Sequence, residues 1–221
     1  MKQEEKNIRF ESKGIVFSLI VVFIIWLVYW YEIKFGKNFN SYGIYPGTLK
    51  GLRGVLFSPF LHSGTSHLFN NSIPFIVLTS ILFAFYKNVS KKILLYGTLL
   101  TGLLTWSIAR ESYHIGLSGV IYMLFSFIFF SGILKRHYRL IAASLVIIFL
   151  YGSMIWYILP IKQGISWEGH LSGFLTGILF AFFFRKKGIT KEKLEFQETE
   201  FDTLFDAEGN FIGEAKDLSD E

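Results

Sequence analysis

The chain has 221 residues, of which 52% are hydrophobic, 19% aromatic and 18% charged, with a formal net charge of +5. A soluble domain of this size carries about 25% charged residues, so disorder is excluded and an ordinary water-soluble globule nearly so. No cysteine is present, which removes disulfides, cysteine-ligated zinc, iron–sulfur clusters and a thiol nucleophile.

Six long apolar runs organise the chain. They cover about Gly14–Tyr31, Leu68–Tyr86, Ile93–Ile108, Gly116–Leu134, Leu140–Leu159 and Trp167–Phe184. Each approaches the roughly 17–25 residues that a helix needs to cross a bilayer. Lipid offers the backbone no hydrogen-bond partner, so the runs are predicted to be helices. The first is too long for a signal-peptide core and reads as a retained anchor. The third is short and holds Gly97 and Gly102.

Basic residues set the orientation. Lys2, Lys6, Arg9 and Lys13 precede run one, and Lys87, Lys91 and Lys92 fill the turn between runs two and three. Lys135, Arg136 and Arg139 fill the turn between runs four and five, and Arg185, Lys186, Lys187, Lys191 and Lys193 follow run six. By the positive-inside rule both termini are cytosolic. Residues 1–13 then form a cytosolic segment, 14–185 a membrane domain and 186–221 a cytosolic, mostly acidic tail expected to be solvated and weakly structured. The loop from about Glu32 to Ser66 faces the opposite side and is apolar enough to lie in the membrane interface. No continuous basic patch with interleaved aromatics is present, so nucleic acid is not expected as a partner.

Polar side chains inside a bilayer are costly and tend to be functional. Run two opens with His67, Asn70 and Asn71, run four with Ser118, and run six with His170. All three runs point from outside to inside. At about 1.5 Å per residue, Asn71 lies ~24 Å, Ser118 ~25 Å and His170 ~22 Å above the basic residues that end their runs. Three helices thus bring Asn, Ser and His to one depth. Ser118 is a candidate nucleophile with His170 as its base. It begins its helix, where unpaired N–H groups favour developing negative charge. Gly116 and Gly119 are expected to leave the backbone bare for a substrate carbonyl. The Ser118 backbone N–H, Asn71 and His67 are candidate oxyanion donors. Glu168 is two residues from His170 and is expected to point elsewhere along the helix, so a dyad is predicted.

Each residue also has a plainer reading. Ser118 between glycines suits a helix-packing notch, and His170 a satisfied core histidine. Gly173-xxx-Gly177 reads as packing of run six on run four. His114 and His137 read as bystanders, His114 in a position to affect access. A metal bound by His62, His67 and His170 is conceivable, but no HExxH string is present. No GxGD string occurs, which removes the aspartyl type, and no Walker-type Gly-rich Lys loop occurs, so ATP is not expected; the reading is of an enzyme without cofactor.

Gly116-Leu117-Ser118-Gly119 with Tyr122, His67-xxx-Asn71, and Gly169-His170 with Gly173-xxx-Gly177 together resemble the rhomboid intramembrane serine proteases. The resemblance spans about residues 14–185 and implies an all-α, six-transmembrane-helix bundle with a long interfacial first outer loop. It implies a Ser118–His170 dyad in a recess open to the outer face, cleaving transmembrane segments of other proteins. It assigns His67 and Asn71 to the oxyanion, Tyr122 to packing on the base's ring, and His62 to a loop histidine five residues before His67. The family often carries a Trp-Arg pair in the first outer loop, where this chain has Leu52-Arg53. A bacterial plasma membrane is the expected location. A catalytically silent relative that binds membrane clients is the alternative.

Overall fold

The computed structural model describes residues 12–150, 156–161, 164–188, 201 and 204–213. Contacts divide the chain after Thr190 into two units. The first unit is helical. It comprises α1 (Ser12–Phe35), α2 (Leu49–Leu52), α3 (Gly54–Phe57), α4 (Thr65–Phe85), α5 (Ser90–Ile108), α6 (Ser118–Lys135), α7 (Tyr138–Leu150) and α8 (Trp167–Phe183). The six longer helices fall on the six apolar runs. Of these, α1, α4 and α6 are long and apolar enough to cross a membrane by length and composition. Helix α5 has sufficient length but begins Ser90-Lys91-Lys92 and carries three threonines.

The end of the fifth run departs from a continuous helix. Residues 151–155 lie outside the described residues, and Trp156–Ile158 form a 3-10 turn. Lys2, Lys6, Arg9, Lys191 and Lys193, used above for orientation, also lie outside the described residues.

Helix α6 is the centre of the bundle and packs on α4, α5, α7 and α8. Ile121, Leu124, Phe127 and Ile128 share its core with Leu78 and Leu82 of α4. Apolar faces alone would hold helices about 8–10 Å apart. The glycines of α8 permit a closer approach. A Cβ at Gly173 would collide with the Gly119 carbonyl, and one at Gly177 with Ser126 Oγ and the Met123 carbonyl. The Ser126 hydroxyl then donates to the Phe174 carbonyl at 2.9 Å. This contact brings the first turns of α6 and α8 side by side.

Helix α1 lies on α4. Phe17 stacks on Phe83 with ring centroids 5.5 Å apart, Trp26 Nε1–H donates to Ser72 Oγ at 3.1 Å, and Tyr29 and Thr65 share a hydrogen bond of 3.0 Å. Its other face exposes Leu19, Ile20, Phe23 and Leu27. An exposed apolar stripe of this length suits lipid rather than water.

Residues 36–64 connect α1 to α4 through α2, α3 and two 3-10 turns. Thr48 caps α2 by accepting the Gly51 N–H at 3.1 Å. Arg53 donates to the Ser41 carbonyl at 2.9 Å and lies 4.3 Å over the Tyr42 ring. The connection is also laced to the α5–α6 segment. Ile44 and His114 exchange both backbone hydrogen bonds, and Trp106 Nε1–H donates to the Thr48 carbonyl at 2.9 Å.

Most of the tail expected to be weakly structured lies outside the described residues, and residues 204–213 form a local turn. Asp206 and Asn210 exchange backbone and side-chain hydrogen bonds, Ile212 N–H donates to the Leu204 carbonyl at 2.7 Å, and Phe205 bridges Phe211. The string Asp206-Ala207-Glu208-Gly209-Asn210 is turn chemistry. The Asp carboxylate accepts the Glu208 and Asn210 N–H groups, and Gly209 supplies a φ of 84°.

Candidate active site

Ser118 is the first residue of α6, and His170 is in the first turn of α8. His170 Nε2 lies 2.8 Å from Ser118 Oγ. His170 Nδ1 lies 2.8 Å from the main-chain carbonyl of Tyr157. A carbonyl only accepts, so Nδ1 carries the proton of the neutral ring. Nε2 is then the free base, and it accepts the Ser118 hydroxyl. The same ring stacks on Tyr122, with centroids 4.3 Å apart and planes at 15°. The base is therefore held on its face by an aromatic ring and at its edge by a carbonyl. It is 6% exposed.

Helix α4 supplies His67 and Asn71, one turn apart on the same face. Both converge on Gly116. A Cβ there would sit 2.9 Å from His67 Nε2 and Cε1 and 3.8 Å from Asn71 Nδ2. Gly116 also has φ +113°, which L side chains rarely adopt. Asn71 Nδ2 is buried without a hydrogen-bond partner. Such a donor is costly unless something completes it. His67 Nδ1 is 3.2 Å from Ser63 Oγ. With the serine hydroxyl donating, Nε2 carries a proton toward Gly116.

His62 lies behind this group. Its ring is 4.9 Å from that of His67, and its Nε2 accepts the Leu117 N–H at 3.4 Å. Burial and, second, the neighbouring His67 push its pKa down to about 3. The ring is neutral and serves as an acceptor for the strand of chain entering α6. Gly116 N–H donates to the Ser58 carbonyl at 2.8 Å in the same strand.

The structure thus brings together Ser118, His170, Tyr122, His67, Asn71, Gly116 and His62. Gly119 has two surroundings: the side open for a Cβ faces the Gly169 carbonyl, 3.1 Å from an ideal Cβ, and serves the α6–α8 approach, while the residue also lines the cavity beside Ser118. Glu168 bonds Arg110 of the α5–α6 connection. It is 2% exposed and forms an ion pair of 3.1 Å with Arg110. Ser63 and the Tyr157 carbonyl were invisible in the sequence. Ser63 lies one turn before His67, a weak signal, whereas a carbonyl belongs to every residue type and leaves no signal.

A cavity of about 30 Å³ lies beside Ser118, lined by Val55, Ser58, Thr101, Thr105 and Gly169 among others. Among the described residues, no group of three or more His, Asp or Glu side chains is placed to hold a metal ion.

Residues 50–187 match the family described as the Rhomboid domain. Uncharacterized proteins of Mycobacterium tuberculosis and Mycobacterium bovis are each 33% identical to the chain, over 74% of its length and 72% of theirs. An uncharacterized protein of Mycobacterium leprae is 29% identical over 59% of this chain and 55% of its own.

Proposed function

We propose, because this chain belongs to the rhomboid family, that it is an intramembrane serine endopeptidase acting on transmembrane segments of other membrane proteins. The observation that carries this reading is the Ser118–His170 pair at 2.8 Å with the tautomer set by the Tyr157 carbonyl.

The chemistry runs as follows. Ser118 Oγ attacks the scissile carbonyl carbon while its proton passes to His170 Nε2. Negative charge then develops on the substrate oxygen. In this reading His67 Nε2–H, the Asn71 amide and the Ser118 backbone N–H are the donors to it, each worth about 3–4 kcal/mol in the transition state. Collapse breaks the C–N bond, and the departing amine takes the proton from His170. Water, deprotonated by the same imidazole, then cleaves the acyl-serine ester and returns the proton to Ser118. The cavity beside Ser118 is large enough for one or two waters.

In this reading the six long helices cross the bilayer, both termini face the cytosol, and the site opens to the outer face of a bacterial plasma membrane. The apolar surface of α1 supports a lipid surround. The residues exposed on the α1–α4 connection, Leu49, Leu56 and Phe57, support its lying in the interface.

Hydrolysis of a transmembrane reporter in proteoliposomes tests the proposal. Wild type is expected to cut it, and Ser118→Ala and His170→Ala are each expected to be inactive. Cutting that survives both substitutions contradicts it.

A further inference from the structure

A buried carboxylate stands at the start of α8, two residues before the base, and the mechanism above does not use it. Glu168 Oε1 accepts the Arg110 guanidinium at 3.1 Å and the Arg110 backbone N–H at 3.3 Å, and Oε2 is buried without a hydrogen-bond partner. A second guanidinium nitrogen of Arg110 donates to the Ile165 carbonyl at 2.7 Å. Four residues on, His114 is 3% exposed and makes two more links. Its Nε2 faces the Arg110 carbonyl at 3.0 Å, which fixes the proton there, so Nδ1 accepts the Ser166 hydroxyl at 2.6 Å.

Three of these bonds bind Arg110 to Ile165 and Glu168, and the Ser166–His114 bond is a fourth crossing. All four join residues 110–114 to residues 165–168. Each segment runs directly into a reacting residue. Residue 114 precedes Ser118 by one short stretch, and Ser166 accepts the His170 N–H at 3.2 Å. Glu168 is 2% exposed while Arg110 is 45% exposed, so the carboxylate gives up its solvation for a partner that solvent still screens. Stability alone therefore explains the pair poorly.

The geometry points to a clamp, in which the Arg110–Glu168 ion pair and the His114–Ser166 hydrogen bond hold the start of α8 against the α5–α6 connection and so set the distance between His170 and Ser118. This rests on the dyad reading above. None of the four side chains touches the reacting atoms; they are positioning residues. The glycine contacts between α6 and α8 fix the lower part of the same interface, and the clamp fixes its upper edge.

The test uses the full chain in detergent micelles and a fluorophosphonate probe, which reacts only as fast as His170 activates Ser118. Misplacement of a reacting group by about 1 Å costs on the order of 100-fold. Arg110→Ala and Glu168→Ala are each expected to lower the labelling rate and the kcat for a transmembrane reporter together by about 10–100-fold. KM is expected to stay within about twofold. The double variant is expected to label no more slowly than the slower single, because both act through one interface. Arg110→Lys, which keeps the charge but loses the second guanidinium bond to Ile165, is expected to recover part of the rate. Where these variants do not fold, Ser166→Ala removes a single hydroxyl and is expected to slow labelling by about fivefold to tenfold. Folded variants that label at the wild-type rate, or that raise KM alone, overturn the clamp. A wild type that does not label overturns the dyad reading itself, so the two failures are distinguishable.

Discussion

The His170 Nδ1–H donates a hydrogen bond to the Tyr157 main-chain carbonyl, 2.8 Å away. A backbone oxygen thus takes the orienting place that a carboxylate fills in a catalytic triad. A neutral carbonyl fixes the tautomer but stabilises the imidazolium less than a carboxylate does. Replacing the Tyr157–Ile158 amide with an ester weakens that carbonyl as an acceptor. The loss is about 1 kcal/mol, so kcat is expected to fall about fivefold with KM unchanged. An unaltered kcat in the ester variant would remove the carbonyl from this role.

Asn71 is a buried donor with no partner. If its partner is the oxyanion, its worth appears only in the transition state. Asn71→Ala is expected to lower kcat about 100-fold while KM changes little. The ratio of the two parameters in steady-state cleavage checks this. A rise in KM at constant kcat would make Asn71 a substrate-binding residue instead.

Gly116 combines a positive φ with a position where a Cβ would collide with the His67 ring. Gly116→Ala is expected to destabilise the protein by about 1–3 kcal/mol and to displace the His67 ring. Thermal unfolding should register the first effect and reporter cleavage the second. A fully active and equally stable Gly116→Ala protein would show that the loop relaxes without cost.

Burial holds the His62 pKa at about 3, against 6.5 for the free side chain. The unfolded chain therefore binds this proton first as pH falls. Stability due to the neutral ring is whole above pH 6.5 and is lost progressively down to about 3. The unfolding temperature is expected to drop between pH 7 and pH 4, and more shallowly in His62→Gln. Parallel slopes in the two proteins would contradict the assignment.

The parts legible in the sequence were those that lipid makes conspicuous. Ser118, His170, His67 and Asn71 stood out because polar side chains are rare in apolar runs, and one rise per residue sufficed to bring them level. The packing of α8 on α6 was legible from Gly173 and Gly177. What was hidden depends on contacts distant in the chain. Helical spacing takes Glu168 away from His170 but does not name its partner, because Arg110 reaches it from the α5–α6 connection. The packing role of Gly119 is hidden because the sequence does not show that Gly169 lies opposite. The end of run five was read as helix from its apolar residues, but Trp156–Ile158 turn so that a carbonyl meets the base. The turn at Asp206–Asn210 was passed over because the charge of the tail outweighed its Asp and Gly signals.

The central claim is that His170 activates Ser118. Its most direct measurement is peptide mapping of the protein after reaction with a fluorophosphonate. A single adduct on Ser118 is expected in wild type, and none in His170→Ala. An adduct on another serine, or equal labelling of Ser118 without His170, would contradict it.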